Sequence, residues 1–403
     1  MLTINNPEEE TERHTIDVTA TSKSDFEDLF LKDELLQGIL EKGYEFPSPI
    51  QHSLIPLALK KKNIIARAKN GTGKTASYLI PILNEIKPLT IETQALILVP
   101  TRELALQCEH LIRQLAKYID LTICSVIGGS SIKDDITRLC KGAHVVIGTP
   151  GRVVDLITKA IIDLSFLRTI VLDEVDKLLS QDFKILIQNT MNLISRDTQV
   201  LMLSATFPQT IKPFLDQFVP NHVEINMCHE LVLIGITQYY AYLKEDQKFL
   251  CLLSLLKRLQ INQAIVFCNS NRRVEFLAKM LKKVHVDCRY IHSKINQNDR
   301  IRILERFISG DVRYLVCSDL LSRGIDVANV NVIINFDMPK NSHTYLHRIG
   351  RSGRFGTYAI AINFIKDNDK HYMFTIESQL KTEIQALPKA IDEKLYVTSF
   401  QTD

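Results

Sequence analysis

Three absences narrow the class of this chain. No run approaches the about 18 consecutive apolar residues that a membrane-crossing helix needs. The amino terminus, MLTINNPEEETER, is acidic and has no apolar stretch of the kind a secretory signal carries. The cysteines at 108, 124, 140, 228, 251, 268, 288 and 317 form no C-x-x-C pair. That argues against a disulfide framework or a structural zinc site and for a reducing compartment. What is present is ordinary: 45% apolar and 24% charged residues over 403 positions. That suffices for sizeable cores and two to three domains of about 150 residues. Membrane, secreted, collagenous and wholly disordered readings are not expected.

The net charge of +3 conceals a division near Ile236. Residues 1–236 carry 24 Lys and Arg against 29 Asp and Glu, whereas residues 237–403 carry 25 against 17. A basic second half suits a polyanion, because cation–phosphate contacts dominate nucleic-acid affinity. Scattered surface charge would give the same balance.

Short apolar runs recur through the first half at Asn63–Arg67, Ala95–Val99, Thr122–Ile127, His144–Ile147, Thr169–Leu172 and Gln199–Leu203. The second half repeats the pattern at Gln238–Leu243, Ala264–Phe267, Cys288–Ile291, Tyr314–Val316, Val330–Phe336 and Tyr358–Phe364. Stretches of helical spacing lie between most of them. Such runs predict parallel strands covered on both faces, hence an α/β protein of two tandem domains. We expect a flexible acidic tail over 1–24, a first domain over 25–228, a linker over 229–236 and a second domain over 237–403. In the first half, polar segments follow directly on six strands: AKNGTGKT, PTREL, GGSS, GTPGR, DEVD and SAT. Open parallel sheets bind ligands beyond the carboxyl ends of their strands, so the site is expected there.

AKNGTGKT (Ala68, Lys69, Asn70, Gly71, Thr72, Gly73, Lys74, Thr75) matches a phosphate-binding loop except that Ala68 replaces the first glycine. Its backbone N–H groups can cradle phosphates, Lys74 can reach the β/γ-phosphates, and the Thr75 hydroxyl can ligate Mg2+. Asp173 and Glu174 end an apolar strand about 100 residues later. They suit a Mg2+ ligand and a group that polarises attacking water. HRIGRSGR (His347–Arg354) supplies arginines that can approach a γ-phosphate from the opposite side. Each motif has a plainer reading: a capped glycine turn, an acidic helix start, a basic surface turn.

Together these residues resemble the DEAD-box RNA helicases of superfamily two, over roughly residues 26–400. The resemblance implies two RecA-like domains, ATP and Mg2+ as ligands, and RNA-dependent ATP hydrolysis coupled to local duplex separation. It implies that Gln51 in GYEFPSPIQ bonds adenine, with Phe26 and Tyr44 packed around it. It makes Lys74, Asp173, Glu174, Arg351 and Arg354 catalytic, with Asp326 on the ribose. RNA would be held through its backbone by Pro100, Thr101, Arg102, Gly128, Gly129, Thr149, Gly151 and Arg152. On the second domain Phe267, Gln297, Arg300 and Ser318 would add contacts. Asp176, Ser204, Thr206 and His347 would couple the domains.

ARAKNGTGKT, LLSQDF, TQYYAYL, RLQINQ and TYLHRIGRSGRFG are similar to one subfamily of cytoplasmic helicases that activate mRNA decapping and repress translation in processing bodies. This implies decapping-enhancer, translational-repressor and deadenylase-scaffold partners. Three positions depart from the family: Val175 where alanine is usual, Ser318 where threonine is usual, and Ser322. Val175 is expected to add two methyls beside the Mg2+ ligands and slow hydrolysis. That expectation motivates an alternative reading as an ATP-gated RNA clamp with weak catalysis. A translation-initiation helicase of the same family is a further alternative.

Overall fold

The structure, a computed structural model, describes residues 25–69, 71–180, 182–207, 211–227, 235–319, 327, 329–352 and 358–397. The first domain contains β1 (Asn63–Arg67), β2 (Ala95–Leu98), β3 (Ile123–Val126), β4 (Val145–Gly148), β5 (Thr169–Asp173), β6 (Gln199–Ser204) and β7 (His222–Asn226). The second contains β8 (Ile236–Tyr242), β9 (Gln263–Phe267), β10 (Arg289–Ile291), β11 (Tyr314–Cys317), β12 (Val330–Asn335), β13 (Ala359–Ile365) and β14 (Gln385–Ala386). The two sheets run β3-β4-β2-β5-β6-β1-β7 and β10-β11-β9-β12-β13-β8-β14, every pairing parallel.

Burial explains the apolar runs. All residues of β2, β4, β5 and β6 are buried, as a sheet with helices on both faces requires. Alternate side chains feed two cores: Ile64 and Ala66 of β1 enter one, and Ile65 enters the other. β13 divides likewise, with Ala361 and Ile365 on one face and Ile360, Ile362 and Phe364 on the other.

Two strands were not expected. β7 reads HVEIN and buries only Ile225 fully, and β14 is two exposed residues. Both sit on sheet edges, where the pattern of a doubly covered strand fades. The expected linker is one residue too long, because Ile236 already opens β8. Residues 1–24 and 228–234 lie outside the described residues.

Strand order has a functional consequence. β5, β6 and β1 are consecutive neighbours, and so are β3, β4 and β2. The segments after β5, β6 and β1 are DEVD, SAT and the phosphate-type loop; those after β3, β4 and β2 are GGSS, TPGR and PTREL. One sheet edge therefore presents two adjoining groups of motifs.

Candidate active site between the two domains

The loop after β1 turns on Gly71 (φ +78°) and Gly73 (φ +90°), where a side chain would be strained. A Cβ at Gly73 would lie 2.6 Å from Gln51 Nε2, so this glycine also makes room for its neighbour. Gln51 is buried; its Oε1 accepts from Ser48 N (2.9 Å) and its Nε2 donates to Gly73 O (3.3 Å). Ser48 Oγ in turn donates to Thr72 O at 2.8 Å. Gln51 thus braces the loop with both ends of its amide, while the second Nε2 hydrogen and the second Oε1 lone pair can still meet a ligand. Phe26 is 1% exposed and packs inside a core cluster. Tyr44 is half-buried against the same core.

Lys74 opens the Lys74–Glu85 helix, and its ammonium donates to Ala68 O (2.7 Å) and Lys69 O (3.0 Å). The charge is therefore held over the mouth of the loop. Thr75 is half-buried in the first helical turn. Asn70, Asp326 and Arg354 lie outside the described residues.

Asp173 ends β5 in deep burial. Its Oδ1 accepts from Glu174 N (2.9 Å) and its Oδ2 from Tyr78 Oη (3.1 Å). Burial, then the negative charge of Glu174, pushes the Asp173 carboxyl up to about 6. Burial and the Asp173 charge likewise raise the Tyr78 hydroxyl. Glu174 is a buried residue with φ +56°, a backbone conformation that costs a non-glycine residue about 1–3 kcal/mol.

The second domain meets these acids directly. From the Ser342–Ile349 helix, His347 Nε2 lies 3.1 Å from Asp176 Oδ2 and Nδ1 lies 4.0 Å from Glu174 Oε2. Asp176 Oδ1 accepts from Ser204 Oγ at 3.0 Å, and Thr206 N donates to the same oxygen of Ser204 at 3.4 Å. Arg351 is buried one turn beyond, with Nε donating to His347 O at 3.1 Å. Asp173, Glu174, Asp176, Ser204, Thr206, His347 and Arg351 are thus brought together from both domains. One residue of this cluster has no counterpart among the sequence motifs. His343 Nδ1 lies 3.1 Å from Thr206 Oγ1. The signal that could have found it is its spacing of four from His347, which puts both rings on one helix face.

The second motif group forms a polar face. Arg102 lies over Gly129 (φ +88°), where a Cβ would be 2.4 Å from Nη1, and donates to Gln297 Oε1 at 3.2 Å. Gly128 N donates to Thr149 Oγ1 at 3.3 Å, and Thr101 caps the following helix by accepting from Leu104 N. Gly151 is exposed with open space around its α-carbon, while Pro100 is buried. A cavity of about 390 Å³ between the domains is lined by Gly129, Asn296, Gln297, Asn298, Asp299 and Arg302.

Three residues expected at RNA make other contacts within the protein. Arg152 pairs with the fully buried Asp135 and donates to Ser130 O at 2.8 Å, which makes it a brace for the glycine turn. Arg300 pairs with buried Glu103 across the domain boundary. Phe267 is fully buried, with the Arg348 guanidinium 5.3 Å from its ring centroid, so its ring supports Arg348. Arg348 is itself buried, bonded to Asp319, Asn335, Asp337 and Asn269. Ser318 is half-buried just after β11.

Val175 also departs from expectation. Its side chain is fully buried in a hydrophobic cluster of the first domain, so its methyls fill core and do not crowd the acids. The clamp reading loses this motive and keeps only the one drawn from the subfamily's reliance on partner proteins. Val175→Ala is expected to lower unfolding free energy by about 2 kcal/mol in urea titrations, with ATP turnover changed less than twofold.

Comparison with known proteins follows this geometry closely. The DEAD/DEAH box helicase family matches residues 48–214, and the helicase conserved C-terminal domain matches residues 247–356. The chain is 52% identical over 394 residues to the ATP-dependent RNA helicase dhh1 of Aspergillus niger, covering 98% of this chain and 78% of that one. It is 50% identical over 398 residues to the ATP-dependent RNA helicase cgh-1 of Caenorhabditis elegans, covering 99% and 93%. Its fold is similar to that of S. cerevisiae Dbp5 bound to RNA and ADP BeF3 (TM-score 0.83, 30% identity, 90% of this chain and 95% of that chain).

Proposed function

We propose, from the premise that this chain belongs to the DEAD/DEAH box helicase family and is an RNA-stimulated ATPase of that family, a division of labour between its domains. The first domain holds ATP, the second completes the catalytic site, and RNA across both keeps them closed. The observation that carries this reading is His347 of the second domain seated on Asp176 and beside Glu174 of the first. Lys74 binds the phosphates, Glu174 orients the attacking water, and Arg351, together with Arg354, offsets charge on the transferred phosphoryl group. Neither domain alone holds these groups, so turnover depends on closure.

The donor set fits Mg2+. Two buried carboxylates and the Thr75 hydroxyl offer oxygens, and the elevated Asp173 carboxyl marks negative charge that Lys74 offsets in part. Asp173 and Thr75 would hold the ion, which supplies charge neutralisation at the phosphates when bound. Tyr78 and the Glu174 amide fix the Asp173 carboxylate for that role.

RNA lies along Thr101, Arg102, Gly128, Gly129, Thr149, Gly151, Gln297 and Ser318. Hydroxyls, backbone N–H groups and one guanidinium meet phosphates and 2′-hydroxyls there without reading bases. The likeness to the dhh1 and cgh-1 helicases supports a role in cytoplasmic mRNA decapping and translational repression, in processing bodies. Affinity capture recovering decapping and deadenylation factors supports that role; capture of initiation factors alone overturns it. The mechanism is tested by ATP turnover of the full chain with and without single-stranded RNA. Turnover is expected to rise at least tenfold with RNA, and equal rates overturn the mechanism.

A further inference from the structure

The Ser342–Ile349 helix carries His343 and His347 one turn apart, so both rings project from one face. Among the described residues, that face meets the first domain through both histidines, His347 also lying 4.0 Å from Glu174. His347 meets Asp176, and His343 meets Thr206 through Nδ1 and Oγ1 at 3.1 Å. The two landing points are not independent, because Ser204 Oγ links them: it donates to Asp176 and accepts from Thr206 N. Thr206 is itself buried, at 3% exposure. The same turn reaches toward the phosphate-type loop, since Arg67 Nε at the end of β1 donates to Ala205 O at 3.3 Å.

We propose that His343 is a positioning residue for RNA-stimulated hydrolysis. It fixes the register of the Ser342–Ile349 helix on the Ser204–Thr206 turn, so that His347 and Arg351 arrive at the acids in one orientation. This inference rests on the reading above. A single hydrogen bond between helix and turn leaves the helix free to pivot about it. Two bonds about 6 Å apart along the axis remove that freedom. His343 touches no reacting atom; it acts through Thr206 and through the pose of its own helix.

The chemistry supplies a sharp test in the full-length protein. An asparagine amide places a polar atom close to the position of imidazole Nδ1, whereas alanine places none. In His343→Ala, RNA-stimulated kcat is expected to fall about three- to tenfold, the worth of one interdomain hydrogen bond. The tightening of RNA binding by a non-hydrolysable ATP analogue falls by the same factor. ATP binding without RNA, followed by a fluorescent nucleotide, and the melting temperature stay at wild-type values. His343→Asn restores most of the loss. In a double-mutant cycle, Thr206→Val costs little more once His343 is already alanine. Wild-type coupling in His343→Ala, no rescue by asparagine, or additive losses each overturn the role of His343. An unmodified protein that shows no RNA stimulation overturns the underlying mechanism instead.

Discussion

Asp173→Asn is expected to reduce ATP turnover at least about 10³-fold while making the nucleotide-free protein more stable. The two effects have one cause. Asp173 is buried beside Glu174, and its carboxyl titrates near 6 in the folded chain against an ordinary value of 3.8. The native state therefore holds a proton there more tightly than the unfolded chain does. That contribution favours folding below pH 4, is lost as pH rises through 6, and leaves a penalty at neutral pH. At 1.36 kcal/mol per unit the penalty is about 2–3 kcal/mol. Asparagine carries no charge to bury, and its carbonyl still accepts from Glu174 N. Its amide donates to Tyr78 Oη, whose proton turns to Cys108 Sγ at 3.7 Å. Urea unfolding at pH 7.5 should show the gain, and at pH 4 the variant and the unmodified chain should converge. The loss of turnover follows because an amide neither neutralises nor binds a hard dication as a carboxylate does. A variant destabilised at pH 7.5 would show that Asp173 is held by favourable contacts and carries no stored cost.

The residues that make Asp173 costly are partly legible in sequence. A strand buried on both faces must be apolar throughout, so β1, β2, β5 and β6 announce themselves, and the polar segment after each marks the functional edge. β7 and β14 do not, because an edge strand half in water loses the continuous apolar run. The catalytic motifs are readable because phosphate chemistry demands fixed residue types at close spacing. What sequence does not reveal is which cation is already spent. Arg152 and Arg300 read as free phosphate ligands until the fold brings Asp135 and Glu103 against them, the latter from 197 positions away. Phe267 reads as a core aromatic from its place in an apolar run, and β9 in mid-sheet, between β11 and β12, keeps it there; only the family resemblance turns it toward RNA. Val175 reads as an active-site intruder until the backbone turn at Glu174 sends its side chain into the core. His343 escapes notice because its partner, Thr206, lies in the other domain.

The Arg300–Glu103 pair makes the strongest prediction about closure. Both side chains are more than nine-tenths buried, yet they belong to different domains. Gln297 extends the contact, with Oε1 accepting from Arg102 and Nε2 3.5 Å from Glu103. Removing one partner of a buried ion pair costs about 3–5 kcal/mol, because the other charge stays desolvated. Here water reaches the orphaned group once the domains part, so the cost falls on the closed state alone. Arg300→Ala is therefore expected to cut RNA-stimulated turnover about 10²- to 10³-fold, with the melting temperature and RNA-free nucleotide binding unchanged. Glu103→Gln separates this role from a direct phosphate contact. If Arg300 served only RNA, losing Glu103 would free the guanidinium and tighten RNA binding. As an interdomain pair, Glu103→Gln leaves Arg300 buried without its anion and lowers RNA-stimulated turnover by a similar factor. The double variant Glu103→Gln, Arg300→Gln replaces two charges with two amides that can bond each other, and recovers at least tenfold over Arg300→Ala. Tighter RNA binding in Glu103→Gln, with turnover intact, would return Arg300 to the role of a phosphate ligand.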